Sequence, residues 1–304
     1  MSPPPEHKSE TAGILMAGSS YVFWGVMPLY WHLLSSVPPF EITVHRIFWC
    51  AIFAGIAVVA RGRVRHVLAL FRHPRAIATL AVTAVLIAVN WSTYIYSIAT
   101  HQLVEASLGY YVTPLISIVL GVAILGEGLS RLRLVAIVLA GVAVVLQAFA
   151  LGHFSWITLV LAFSFGLYGF FRKWTHVDPI DGLAVESWLM LPLTSGAILF
   201  WGIQGTGAFP VAGAWIDSLL ILGGLLTALP LAVFAAGVSR IRLSTLGFLQ
   251  YLNPSITLTL ATLGFGEAFT RLDAVTFGCV WAALAIVAID SRVNRAPATN
   301  PEPA

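Results

Sequence analysis

The chain has 304 residues, 59% of them hydrophobic and 10% charged, with a mean hydropathy of +0.90. A soluble domain carries roughly 25% charged residues, so this chain cannot clothe a water-facing surface, and hydrocarbon is its solvent on most faces. The net charge of +3 does not mark a nucleic-acid binder, because the basic residues are scattered between apolar runs and form no patch.

Residues 1–11 are polar and read as a short cytoplasmic tail. The apolar run 12–34 is too long for a signal-peptide core and reads as a retained first span. Nine further runs of about 20 residues follow, each long enough to cross a bilayer as a helix. They are 40–60, 76–100, 103–125, 132–150, 154–174, 182–203, 215–238, 243–264 and 272–290. The connectors are too short for a soluble domain; the longest are 61–75 and 202–215. Residues 291–304, with Pro297, Pro301 and Pro303, read as a disordered cytoplasmic tail. Cys50 and Cys279 lie in apolar runs without metal-ligand spacing.

Basic residues give the orientation, because cytoplasmic connectors are enriched in Lys and Arg. With the N-terminus inside, the cytoplasmic segments hold Lys8, the five arginines of 61–75, Arg131, Arg133, Arg172, Lys173, Arg240, Arg242, Arg292 and Arg295. The outer connectors hold Arg271 alone, and Arg46 lies within a span. So lopsided a split requires an even span count and puts both termini in the cytoplasm.

Residues 107–131 and 245–271 share one pattern: a small hydroxyl residue, Leu-Gly, an aromatic-rich turn, a proline, then Gly-Glu. Pro114 precedes Glu127 by the same interval that separates Pro254 from Glu267. Trp24-Gly25 matches Tyr168-Gly169. Pro39-Phe40-Glu41 matches Pro179-Ile180-Asp181, which sets Arg46 against Glu186. The expected fold class is therefore an all-α membrane protein of ten transmembrane helices, built as two five-helix repeats, 12–150 and 151–290. Five is odd, so the second repeat must be inverted relative to the first. Inverted repeats are the architecture of many secondary transporters, with the substrate site near the midplane between them.

Ionisable and polar groups inside spans usually face a cavity or a partner. Arg46 reads as a cation that binds an anionic or carboxylate-bearing substrate or closes an outer gate. Its alternative is snorkelling to outer headgroups. Glu186 falls nearer the inner face, roughly 10 Å from Arg46 in depth, which speaks against a direct salt bridge. It could gate, couple transport to protons, or bond to a neighbouring helix. Asn90, Tyr110, Gln250 and Asn253 offer orienting hydrogen bonds around the bends at Pro114 and Pro254. Trp24 and Tyr168 lie within spans at matched repeat positions and read as apolar walls. Glu127 and Glu267 read as structural groups that close polar turns.

The only lysines are Lys8 and Lys173, and neither follows a glycine, so a phosphate-cradling Gly-Lys-Ser/Thr loop is excluded. His-Glu-x-x-His and Gly-x-Ser-x-Gly are absent as well. The expectation is a non-enzyme without cofactor or metal, whose partners are a small-molecule substrate and the lipid bilayer, acting as a monomer or homodimer. The competing class, a membrane enzyme acting on lipid-linked substrates, would need an acid cluster or metal site at one interface.

Several strings resemble the drug/metabolite transporter superfamily with its EamA-type repeats, and within it the RarD branch. They are His45-Arg46-Ile47-Phe48-Trp49, Asn90-Trp91, Glu105 through Tyr111 with Pro114-Leu115, Phe165 through Gly169 with Arg172-Lys173, Glu186, Thr227 through Leu231, and Leu246 through Tyr251 before Pro254. The likeness covers about 12–290. It implies a bacterial inner-membrane permease that works as an exporter, and it implies no catalytic residue.

Overall fold

The structure is a computed structural model that describes residues 5–125, 130–175, 177–238, 240 and 249–293. All regular structure among these residues is helical. The helices are α1 (Pro5–His32), α2 (Pro39–Ala60), α3 (Val64–Leu70), α4 (Pro74–Ala99), α5 (Leu103–Leu125) and α6 (Arg131–Leu151). They continue with α7 (Trp156–Thr175), α8 (Pro179–Gln204), α9 (Ala214–Val238), α10 (Leu252–Thr259) and α11 (Arg271–Val293). A π-helical turn, Leu260–Gly264, extends α10.

Among the described residues eight helices are long and apolar enough to cross a membrane, namely α1, α2, α4, α5, α6, α8, α9 and α11. The apolar part of α7, Trp156–Arg172, is shorter. The expected span 243–264 is represented by α10 and its π turn, because 241–248 fall outside the described residues. Glu127 and the tail from residue 294 onward also lie outside them. Large apolar side chains such as Phe149, Leu193, Ile203 and Val138 stand exposed on the outer faces, as a hydrocarbon solvent demands.

Two boundaries differ from the sequence reading. The first helix is already formed at Pro5, the first described residue, inside the segment read as a tail. The connector 61–75 holds α3, a short helix that buries its own Val67. A seven-residue helix is too brief for periodicity to announce and owes its stability to packing.

Prolines start α2, α4 and α8, and the Asp178 carboxylate caps α8 by accepting from the Ile180 and Asp181 amides. Gly152 and Gly205 end α6 and α8 in the left-handed region that glycine tolerates best.

The packing partners interleave the two parts of the chain. Helix α1 lies against α9 and α10, while α7 lies against α4 and α5. Helix α2 packs on α8 and α9, and α8 packs on α2 and α4. Helices α6 and α11 pair with each other at the side of the bundle. Glycines allow the closest approaches, as is usual for membrane helices. A Cβ on Gly25 would meet the Ile256 side chain at 2.8 Å, and one on Gly166 would meet Ile116 at 2.8 Å. Each isoleucine stands two residues after one of the matched prolines, Pro254 and Pro114.

Candidate functional site

A central cavity of about 280 Å³ opens among α1, α2, α4, α5, α7, α8, α9 and the segment that leads into α10. That is close to the lower end of the roughly 300–1,000 Å³ typical of small-molecule sites. Its walls are largely aromatic, with Trp24, Trp31, Trp91, Tyr110, Tyr168 and Phe234 prominent. Arg46 is the one formally charged side chain among the described lining residues.

Arg46 comes from the second turn of α2 and is only 9% exposed. Its guanidinium carbon sits 4.2 Å from the Trp91 ring centroid and 4.9 Å from that of Trp31. The Nε–H donates to Thr227 Oγ1 at 2.9 Å, and Nη1 is buried without a hydrogen-bond partner. Each cation–π contact contributes about 0.5–2 kcal/mol, while an unpaired buried charge costs several kcal/mol. The two rings and one hydroxyl therefore offset the desolvation of this arginine only in part.

Asn90 is spent within the protein. Its amide nitrogen donates to Ser164 Oγ at 3.0 Å and to the Leu161 carbonyl at 3.3 Å, while its oxygen accepts from the Tyr110 hydroxyl at 2.9 Å. It thus ties α4 to α7 and fixes the Tyr110 ring at the cavity wall. Asn253 accepts from Thr257 Oγ1 at 3.3 Å, and Gln250 borders the cavity beside it. Trp24 packs edge-on against Tyr21 and at a tilt against Phe234 of α9.

Glu186 does not line this cavity. It borders a small neighbouring void, separated from the cavity by Ile87, Trp91 and Leu183, which line both. It is 2% exposed and accepts from Thr83 at 2.7 Å and from Tyr168 at 3.3 Å, with the Arg172 Nε at 3.6 Å. Gly182 makes room for Arg172, since a Cβ there would fall on the guanidinium. As their depths suggested, Arg46 and Glu186 use different partners. Arg46 reaches Thr227 of α9 and Glu186 reaches Thr83 of α4, and each threonine also donates to its own helix's carbonyl, Gly223 or Leu80.

Polar contacts tie the ends of the bundle. At the arginine-rich end, Arg61 makes a two-pronged contact with Asp178 at 2.9 and 3.1 Å, and Arg63 holds the buried Asp181 at 2.5–2.7 Å. The Arg61 guanidinium holds the Asp178 carboxyl down at about 2, and Asp178 in turn raises Arg61. At the opposite end, Glu41 accepts from the Ala208 amide at 2.6 Å, and Glu267 accepts from the Leu103 and Val104 amides at 2.8 Å each. Glu267 thus caps the start of α5 from a distant connector, a structural role of the expected kind.

Seven of the eight residues singled out from the sequence meet at the one cavity: Trp24, Arg46, Asn90, Tyr110, Tyr168, Gln250 and Asn253. Glu186 stands behind the wall and touches the set through Tyr168. Trp91, Thr227 and Arg172 stand in the strings that carry the family resemblance but receive no site role from the sequence, and Trp31 and Thr83 carry no signal there; Trp31, Trp91 and Thr227 enclose Arg46, and Thr83 and Arg172 hold Glu186. A threonine one turn from a helix carbonyl carries no distinctive local signal, and Arg172 reads from the sequence as a cytoplasmic connector charge.

The fold and the cavity define a helical membrane protein with a central cavity of small-molecule size. A profile of the EamA-like transporter family matches residues 11–149. An uncharacterized transporter, YojE, of Bacillus subtilis is 39% identical over 92% of this chain and 94% of its own length. Protein RarD of Streptomyces exfoliatus is 40% identical over 93% of this chain and 90% of its own length. A solved structure titled only as the crystal structure of a protein superposes with a TM-score of 0.59 at 16% identity, covering 94% of this chain and all of that one; it shares the fold. The chain belongs to the EamA-like transporter family, as a RarD-like permease of the drug/metabolite transporter superfamily.

Proposed function

We propose that the chain is a secondary transporter that exports small polar or amphipathic metabolites across the bacterial inner membrane by alternating access around the central cavity. The observation that carries this reading is the cavity itself, walled by helices from both parts of the chain and holding a buried, incompletely paired Arg46. Its relatives carry transporter names.

The reading includes ten spans in two inverted halves, 12–150 and 151–290, with both termini cytoplasmic. The packing supports this. Exchanging the two halves turns the α1 contacts with α9 and α10 into the α7 contacts with α4 and α5. The same exchange turns Arg46 on Thr227 into Glu186 on Thr83.

In this scheme the halves rock against each other. The Arg61–Asp178 and Arg63–Asp181 contacts close the cytoplasmic end, and Glu41 with the Ala208 amide closes the outer end. Arg46 contacts substrate. Asn90 holds Tyr110 in place, and Gln250 and Asn253 supply polar contacts, with Trp24 and Tyr168 as walls. Glu186, paired with Arg172 outside the cavity, serves as a gating carboxylate; proton coupling through it is the competing role. No chemistry on the substrate is assigned to the chain.

The test is flux in proteoliposomes with a metabolite and drug panel, with and without a pH gradient. Saturable uptake that protein-free vesicles lack is expected. Absence of flux for every compound the protein binds would defeat the transport reading. Loss of gradient dependence in Glu186→Gln with flux retained would assign this residue to proton coupling rather than gating.

A further inference from the structure

We infer that the cavity is built for small organic monoanions: a carboxylate or similar anion on Arg46, attached to a flat apolar body that lies among the aromatic walls. This deepens the transport reading and rests on it for the word substrate, but the binding claim stands on the cavity alone.

The inference comes from an asymmetry between two matched charges. Glu186 has its counter-charge in place, since Arg172 stands 3.6 Å away and two hydroxyls donate to the carboxylate. Arg46, at the equivalent position of the other half, has one hydroxyl and two indole faces. No carboxylate lines its cavity among the described residues. Acids on the helices around the cavity lie off its lining: Glu41 meets the Ala208 amide, Glu105 meets Ser155, Asp181 meets Arg63, Glu186 meets Arg172, and Asp217 stands in the first turn of α9. An arginine buried in this way has a guanidinium nitrogen without a partner. A bound anion supplies both the missing charge and the missing acceptor, and guanidinium–carboxylate hydrogen bonds are among the strong ones.

The same inventory excludes other classes. A cation would enter beside Arg46 with no acid to receive it. A zwitterion would have to desolvate an ammonium with ring faces but no acid to pair it while its carboxylate took Arg46, so it gains less than the plain acid. A dianion would leave one charge uncompensated in an aromatic chamber. The flat body follows from the walls, where Trp24, Trp31, Trp91, Tyr110 and Phe165 present ring faces and edges and leave about 280 Å³. Offset and edge-on ring contacts reward a planar guest.

The probes are benzoate, benzyl alcohol, benzylamine and phenylalanine, offered to the purified full chain in detergent and followed by equilibrium dialysis. Benzoate is expected to bind at least about tenfold tighter than benzyl alcohol, the factor a single charge-assisted hydrogen bond supplies. Benzylamine should bind more weakly than the alcohol, and phenylalanine more weakly than benzoate. Arg46→Gln should erase the benzoate preference, and Arg46→Lys should keep part of it. The wild-type ranking needs no variant, so the inference is tested even if Arg46→Gln does not fold. Benzylamine or benzyl alcohol binding as tightly as benzoate would overturn it. The two readings fail separately. Benzoate binding without flux would sink transport and leave the site standing, whereas flux of amines but not of acids would do the reverse.

Discussion

The Glu186–Arg172 pair predicts an unequal response to removing either partner. Arg172→Gln leaves a carboxylate that is 2% exposed, walled in by Thr83, Tyr168 and α8, with no route to water. At the observed 3.6 Å, Coulomb's law with an effective dielectric constant near 20 gives about 5 kcal/mol of lost attraction. That agrees with the roughly 3–5 kcal/mol measured when one member of a buried pair is deleted. Glu186→Gln is milder. The amide oxygen still accepts from Thr83 and Tyr168, and Arg172, 13% exposed on a long stem near the arginine-rich end, can swing its head toward water. Its cost should be about 1–2 kcal/mol. The assay is reversible unfolding of the purified protein in mixed micelles by titrated sodium dodecyl sulfate, completed by the double variant. A double variant closer to Glu186→Gln than to the sum of the singles would measure the coupling. Gly182→Ala, which pushes the guanidinium off its seat, should shift stability in the same direction as Arg172→Gln. If Glu186→Gln proved as damaging as Arg172→Gln, the argument from unequal access to water would be wrong.

Two further outcomes follow from the geometry. Gly224 lies on the backbone of Trp49 and Cys50 where α9 crosses α2, so Gly224→Ala must spread the helices and should cost about 1–3 kcal/mol. Gly278→Ala on α11 meets open space and should be neutral or stabilising by up to about 1 kcal/mol through helix propensity; the same unfolding titration compares them, and equal effects would refute the crossing argument. The Arg61–Asp178 contact depends on pH. Its carboxyl sits below the ordinary carboxylate value in the folded chain, so its contribution is complete above about 4 and is lost as pH falls toward about 2. Because both side chains are partly exposed, at 36% and 28%, the effect should be under about 1 kcal/mol and should shrink with added salt. Asp178→Asn, which keeps a capping side chain, should flatten that stretch of the acid profile, and an unchanged profile would show the contact to be idle.

Composition and pattern determined much of this protein without coordinates. Ten percent charge cannot face water, so the apolar runs had to be membrane helices, and their approximate lengths follow because about 20 residues are needed to hide the backbone's polar groups from lipid. The matched prolines and the Arg46–Glu186 register pointed to the helices that wall a cavity, since a polar group in hydrocarbon must find a partner or a chamber. Tertiary structure alone decided which side chains share that chamber. Trp31 and Trp91 close on Arg46, Asn90 turns inward to hold Tyr110, and Glu186 is screened behind Leu183 with Arg172. The rotation and depth of each helix set those outcomes, and both come from packing against neighbours. Glycine and isoleucine contacts such as Gly25 on Ile256 arise between segments far apart in the chain, where no local periodicity records them.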